Sequence, residues 1–542
     1  MKILSCNPGH DGAIALLVDG RLEFSIEAEK DSGLRYDKID KQAIADTLDR
    51  IGETPDVVCT GGWWYNDTSL AGILPHVGYR GVESSGVATG RRDVFGRSVE
   101  YFSSSHERSH LLCAFGLSDL PKGTPCYALI WEGVIGSFYE IDAELNITSL
   151  GNVMSGPGNR FATVYGLADP DYPKDATMAR NTYAGKLMAL ASFADRHVAT
   201  VEEEKLLAFL LWTPEVRLDL YEGIEQIAYY NSGVDSQEFR NFASIASDRI
   251  FDRFHRFAEK NLRRGLPLLI AGGCGLNCDW NSKWRASGLF SDVFVPPVAN
   301  DSGSAIGTAI DAQFHFTGDP KVEWSVYAGL PFRADTPFER ERYDIVDADP
   351  AMIADMLSHD LILGWVNGKY EIGPRALGNR SILAAPFSAA TTERLNRIKR
   401  REHYRPIAPI CLEADAALWF GCDGPSPHML FTYKATTDAL AAVTHVNRTA
   451  RIQTVSEESN SPMFDLLTAF KARTGYGVLC NTSLNFNGKG FINSMADLDA
   501  YTAKHKMDGF VVDGRAYLRR ESERCGAYTQ ASGAMSDLSG VV

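Results

Sequence analysis

The feature that most constrains what this chain can fold into is a pattern that occurs twice, near residue 2 and again near residue 126. Each copy runs as an apolar strand, a loop holding an acidic residue beside glycine, a second strand, a turn and a third strand. In the first copy KILSCN, AIALLV and RLEFSIEAE surround the loop Asn7–Gly12 and the hairpin signal Asp19-Gly20. In the second, CYALIW, VIGSFYEID and LNITSLG surround Glu132-Gly133. Asp11 thus answers to Glu132. An internal repeat outweighs any single motif. It predicts an α/β protein with two similar lobes facing each other, each offering a carboxylate to a shared cleft. The plainer alternative is two β-meanders that look alike by chance.

Between and after these meanders, SHLLCAFGL, AGKLMALASFA, EEEKLLAFLLW and DRIFDRFHRFAEKNLRR carry the apolar spacing of helices. LPLLIAGG reads as a buried strand entering a Gly-rich turn. Asn300-Asp301-Ser302-Gly303 starts the helix SAIGTAIDAQF. At 542 residues the chain is long enough for more than one domain. The charged, Pro-containing stretch at 334–350 reads as a linker. The expected division is therefore 1–340, 345–525 and a Ser/Gly/Ala-rich tail, 527–542, without fixed structure. A net charge of −15 disfavours a chain-wide nucleic-acid surface but permits a local basic pocket. The ten cysteines form no CxxC pair, no run is long enough to cross a bilayer, and the opening residues show no signal-peptide pattern. These features predict a soluble cytoplasmic protein.

Several residues carry chemistry. His106 and His110 share one helical face at i, i+4, behind an N-cap offered by Ser103-Ser104-Ser105. An HxxxH pair alone also suits an ordinary surface helix. Glu132, at the end of a buried strand, and Asp301, before a Ser-Gly turn, shift the reading, because a buried carboxylate needs a partner or a metal. Two imidazoles with carboxylates suit non-haem Fe(II), Mn or Zn. Gly272, Gly273 and Asn277 lie in a strand-to-helix turn that admits close approach of a ligand, or is simply tight. No Walker or Rossmann glycine motif is present. The C-terminal half collects cations: Arg375 and Arg380 in GKYEIGPRALGNRS, Lys399 and Arg405 in RIKRREHYRP, and Arg451 in HVNRTARIQTV. Arg400 and Arg401 read as a solvated face. Asn481 and Ser483, in LCNTSLNFNGKG, suit a phosphate nest.

These motifs resemble the antibiotic and nodulation-factor O-carbamoyltransferases, a family that includes the tobramycin and cephamycin carbamoyltransferases. GPRALGNRSILA, RPIAP, HVNRTARIQTV and CNTSLNFNGKG look like its C-terminal α+β YrdC-like domain. PGHDGAIALLVDG, HERSH, GKLMALA, AGGCGLN and NDSGSAIG look like its ASKHA domain, with duplicated RNase-H-like lobes. The resemblance implies that the C-terminal half converts carbamoyl phosphate and ATP, with Mg²⁺, into carbamoyladenylate and pyrophosphate. It assigns Arg375, Arg380, Lys399, Arg405, Arg451, Asn481 and Ser483 to phosphate and nucleotide contacts, with Arg375 and Arg405 catalytic. Gly272, Gly273 and Asn277 would meet the adenylate. Fe(II) would be held by His106, His110 and Asp301, with Glu132 in a fourth position where many members carry Asp. The N-terminal half would pass the carbamoyl group to a natural-product hydroxyl, with His10, beside Asp11, as the candidate base. The PGHDG, AEKDS and WEG runs lie nearest the cephem-type branch without fixing the acceptor. The aromatic loops WWYNDTSLAGILPHVGYRG and YGLADPDYPKDATMARNTYAG are expected to line its site. Threonylcarbamoylation of tRNA, a sugar-kinase-like or chaperone-like ATPase, and a nucleotide-gated binding protein are the competing readings.

Overall fold

A computed structural model describes residues 1–61, 81–83, 87–94, 96–176, 181–214, 216–486 and 490–532. The chain forms two compact units, Met1–Ala28 with Tyr36–Ser325, and Glu29–Arg35 with Val326–Val542. No helix among the described residues is long and apolar enough to cross a membrane, and all ten cysteines are free thiols.

The repeat holds at the level of topology. In the first lobe, β1 (Lys2–Asn7), β2 (Ala13–Val18), β3 (Arg21–Glu27), β4 (Val57–Thr60), β5 (Ala88–Val94) and β6 (Arg97–Ser103) form a sheet in the order β3-β2-β1-β4-β6-β5. In the second, β7 (Cys126–Trp131), β8 (Gly136–Ile141), β9 (Ile147–Asn152), β10 (Leu268–Ala271) and β11 (Val293–Phe294) follow the order β9-β8-β7-β10-β11. In both, the first three strands are an antiparallel meander, and two further strands, β4 and β6 in the first and β10 and β11 in the second, run parallel to the first strand. The two sheets therefore share one five-strand plan, and the first adds an edge strand. This is the duplicated RNase-H-like arrangement of an ASKHA domain. Local chemistry sets the details. Asp19 and Gly20 both take positive φ, 49° and 82°, as the tight hairpin between β2 and β3 requires. The central strand β7 is buried along its whole length, so an apolar run without alternation is what its place demands.

The second unit is built on a mixed sheet. Its strands are β12 (Tyr343–Asp347), β13 (Leu363–Val366), β14 (Arg380–Ala384), β15 (Ala408–Leu412), β18 (Gln453–Val455), β19 (Val478–Ser483), β20 (Gly509–Val512) and β21 (Arg515–Arg519). Their order is β12-β21-β20-β13-β14-β19-β15-β18, with a separate ribbon of β16 (Tyr433–Lys434) and β17 (Thr449–Ala450). Side chains alternate between two cores. Ile382 and Ala384 pack on one face with Leu395, Ile398, Leu498 and Tyr501, whereas Leu383 and Ala385 pack on the other with Met356, Leu357, Leu466 and Phe470.

The register of this sheet gathers the motifs. β14 and β19 pair antiparallel with Ser381 opposite Ser483. β15 pairs with β19, Ala408 opposite Asn481, and β18 runs parallel to β15. The loop entering β14, the loop leaving β19 and the segments entering β15 and β18 consequently meet at one end of the sheet.

Two boundaries differ from the expectation. The second unit begins at Val326, ahead of the charged stretch read as a linker. Tyr327 donates to the Leu377 carbonyl at 2.7 Å and Tyr343–Asp347 is a strand paired to β21. Charge and proline mark exposure, not the end of packing. The tail expected from 527 instead begins within a helix, Glu523–Ser532, whose Tyr528 is buried and donates to Asp355 at 2.8 Å. The aromatic stretch 63–80 lies outside the described residues, as do 177–180 of the second loop.

Candidate functional site

In the first unit, the His106–Leu117 helix is started by Ser105, whose hydroxyl accepts from the Arg108 amide. It packs closely on the Gly303–Thr317 helix, because a side chain at Gly307 would lie 1.7 Å from the Ser109 carbonyl. Arg108 locks the pair from the buried side. Its Nε and Nη2 grip the Asp311 carboxylate at 2.8 and 2.5 Å, and Ser104 donates to the same group. The first helix carries His106 and His110, and Asp301 stands just ahead of the second, so this packing fixes how far apart they lie. Glu132 arrives from the end of β7. Gly272, with φ 90°, leaves room for that strand end, since a Cβ there would meet the Trp131 carbonyl at 2.6 Å.

The structure brings His106, His110, Glu132 and Asp301 together, with one donor atom of each within 4.8 Å of the others. His106 Nε2 is 2.9 Å and His110 Nε2 3.4 Å from Glu132 Oε2, and His110 Nε2 is 3.3 Å from Asp301 Oδ1. Burial opposes charge on His110, but Asp301 and Glu132 outweigh it and push the imidazole up to about 10. Against the same burial, the two imidazoles hold Glu132 below the usual carboxylate range. Glu132 Oε1 is buried without a hydrogen-bond partner among the described residues. Two imidazole nitrogens, two carboxylates and a spare buried oxygen fit a divalent transition metal. The longer Glu132 side chain reaches the group without difficulty.

His10 and Asp11 stand beside this cluster. His10 Nδ1 is 3.4 Å from Asp11 Oδ2 and 3.9 Å from Asp301 Oδ2, and its ring stacks on Tyr36 at 5.0 Å. The half-exposed imidazole contrasts with the buried Asp11. Asn7 ties the first loop to Asp301, donating to the carbonyls of Asp301 at 2.8 Å and His10 at 3.3 Å. The sequence reading passed over Asn7, although a polar residue closing a buried strand was the available signal. Asn277, expected at the adenylate, caps the Cys278–Ala286 helix by accepting from the Trp280 amide. At Gly273 a side chain would meet nothing within 4 Å.

In the second unit the expected phosphate residues separate into two groups. Arg380 is corrected from a ligand contact to a buried bracket. Its guanidinium donates to Asn493 Oδ1 at 3.2 and 2.8 Å and to the carbonyls of Asn367, Asn379 and Gly368 at 2.9–3.0 Å. Five donors so engaged leave none for phosphate. Asn481 is likewise turned inward, donating to the Ala376 carbonyl and Gln453 Oε1. Both hold the loop 371–380, which carries the half-buried Arg375. Glu371, passed over in the sequence, sits within that loop. Its Oε1 accepts the amides of Leu377, Asn379 and Arg380 at 2.7, 2.7 and 3.1 Å.

The second group is a gathering of like charges. Lys399 is buried and donates to the Ser483 carbonyl at 2.5 Å and to Asn485. Ser483 donates to Asn485 Oδ1 at 2.6 Å. Burial first, then Arg401 and Arg405, hold Lys399 well below the usual lysine range. Arg401 is pushed down to about 9 by burial and then by Arg405 and Arg451. Arg405 is lowered by burial, and Arg451 adds to the effect. Arg401, read as a solvated surface charge, therefore belongs to the cluster. Arg451 Nε is buried with no hydrogen-bond partner among the described residues. Glu402, 3.7 Å from Arg405, offsets part of this charge, and a bound anion would relieve the rest.

The chain is similar to known proteins along nearly its whole length. Family models described as carbamoyltransferase N-terminus and carbamoyltransferase C-terminus match residues 88–310 and 354–519. A 3'-hydroxymethylcephem-O-carbamoyltransferase of Amycolatopsis lactamdurans is 45% identical over 525 residues, covering 96% of this chain and 100% of its own. That of Streptomyces clavuligerus is 44% identical over 531 residues, covering 96% and 99%. Nodulation protein U of Bradyrhizobium diazoefficiens is 33% identical over 546 residues, covering 92% and 94%.

Proposed function

Since the chain belongs to the carbamoyltransferase family, we propose that it is an ATP-dependent O-carbamoyltransferase acting on a hydroxyl of a small natural product. The observation that carries the ATP-dependent half is the cluster of Lys399, Arg401, Arg405 and Arg451 at one sheet end, whose repulsion an oligophosphate relieves. The acceptor class rests on the two cephem O-carbamoyltransferases, which are similar from end to end.

The chemistry balances in three steps. Carbamoyl phosphate and water give carbamate and inorganic phosphate. The carbamate oxygen then attacks the α-phosphorus of ATP, and pyrophosphate leaves. The acceptor oxygen finally attacks the carbamoyl carbon, AMP leaves, and the hydroxyl proton goes to a base. Arg405, Arg451 and Arg375 bind the phosphates in the first two steps, with Mg²⁺ offsetting triphosphate charge, and Lys399 holds the nest at Ser483. The adenosine gives a small carbamoyl group a handle, so remote binding energy orients its carbonyl. His10 takes the proton in the last step, oriented by Asp11 at 3.4 Å. His106, His110, Glu132 and Asp301 would hold a divalent metal, Fe(II) before Mn or Zn, which would polarise an oxygen of the carbamoyl donor.

The test is pyrophosphate release from ATP with and without carbamoyl phosphate, before any acceptor is added. Release that depends on carbamoyl phosphate is expected. Its absence with Fe(II) and Mg²⁺ present overturns the reading. His10→Asn should keep this release and lose transfer to the acceptor; equal loss of both removes His10 as the base.

A further inference from the structure

Residues 29–35 follow β3 in sequence yet belong to the second unit. The strand expected to run through Glu29 ends at Glu27, and the chain turns into the short helix Ala28–Ser32. That turn delivers Lys30 to a buried position, where its side chain is 3% exposed. The ammonium donates to the Glu371 carbonyl. It also lies 5.2 Å from the ring centroid of Tyr370 and 4.8 Å from that of Phe491. Tyr370 donates to Asp31 at 3.4 Å. At Gly490 a side chain would strike the Glu29 carbonyl at 1.8 Å and the Lys30 Cα at 2.5 Å. The segment therefore bears on both loops that meet at the end of the sheet, one at 370–371 and the other at 490–491.

An ammonium in a buried site is costly unless its surroundings hold it. Here one carbonyl and two aromatic faces do so. The carbonyl is that of Glu371, whose carboxylate gathers the amides of Leu377, Asn379 and Arg380. A single chain of contacts thus runs from Lys30, through the backbone and side chain of Glu371, to the loop that presents Arg375. Arg35, at the far end of the segment, adds positive charge near Arg405.

We propose that Lys30 is a positioning residue for the phosphate site of the C-terminal half, so that this half is completed by residues 29–35 from near the start of the chain. The inference rests on the phosphate-site reading above. The full-length protein, wild type and with Lys30→Met or Lys30→Arg, is titrated with pyrophosphate by calorimetry. It is then assayed for carbamoyl-phosphate-dependent pyrophosphate release, resolving KM and kcat, with melting recorded for each.

Lys30→Met should weaken pyrophosphate binding and raise KM for carbamoyl phosphate by about tenfold or more, as misplacing a binding group does. Lys30→Arg, which keeps the charge and the donor, should recover most of this. Folded Lys30→Met with wild-type affinity and KM overturns the proposal, as does a Lys30→Arg no better than Lys30→Met. If Lys30→Met does not fold, Lys30→Gln takes its place under the same criteria. A wild type that binds pyrophosphate but never releases it sinks the reaction reading, while the affinity comparison still decides the role of Lys30. A wild type that binds none overturns both.

Discussion

At the end of β7, two imidazoles face two carboxylates; in the second unit, Lys399, Arg401, Arg405 and Arg451 form a group of like charge, in which burial and then neighbouring cations depress the protonation of the first three. The first group is already partly neutralised by its own members. His110 is raised by Asp301 and Glu132, and His106 and then His110 hold Glu132 low against its burial. A bound cation would replace shared protons there, and the donor set, not the net charge, would select it. The second group sets one carboxylate, Glu402 at 3.7 Å from Arg405, against several cations, so its sign points to an anion. The two sites also rest on different supports. The histidine site depends on helix packing, through Gly307 and the Arg108–Asp311 pair. The cation site depends on strand register and on inward-turned polar groups, Arg380, Asn481 and Glu371.

If the two sites divide the work, variants should separate them. The largest effect is expected from His110→Ala, which should weaken Co(II) binding by more than ~100-fold, beyond the usual effect of losing a supporting contact. Chelator competition measures it, and pyrophosphate release should stay at the wild-type rate. Loss of both would break the comparison. Arg451→Met comes next. Losing one charge-assisted bond of roughly 1.5–3 kcal/mol should lower kcat/KM for pyrophosphate release by roughly 10- to 100-fold, with Co(II) binding intact.

Arg380→Gln sharpens the contrast within the second site. It should cost roughly 2–3 kcal/mol in denaturant unfolding while leaving KM for ATP near wild type; a large KM effect at full stability would restore Arg380 as a ligand contact. The smallest effect concerns Lys321, which closes the His106–Leu117 helix by donating to the Phe115 and Ser118 carbonyls. Burial lowers this lysine from its ordinary 10.5 to about 8. Between those values the unfolded chain keeps a proton that the folded chain sheds, so this group's contribution makes stability rise with pH across that window. Lys321→Met should flatten the rise, as read from melting between pH 8 and 10.

Much of this was legible in the residues because it is local or periodic. Strand alternation, the Asp19-Gly20 hairpin and the strand–acid–glycine repeat depend on neighbours in sequence, and the two matching sheet orders follow from them. The i, i+4 histidines were legible for the same reason. Composition misled where packing overrode it. The charged stretch near 340 became the strand Tyr343–Asp347, and the half-buried Arg401 is coupled to Arg405 and Arg451.

By itself the sequence determined the two-lobed first half, the donor types of the histidine site and the cationic character of the second half. Those are properties of residue type and spacing. Only the tertiary structure decided that Arg380 braces the fold, since its five donors are taken by Asn493 and by the carbonyls of Asn367, Gly368 and Asn379. It alone also placed Lys30 beneath Glu371, 341 residues away in sequence. A hydrogen bond depends on where two atoms come to rest, and for residues so far apart no local pattern carries that information.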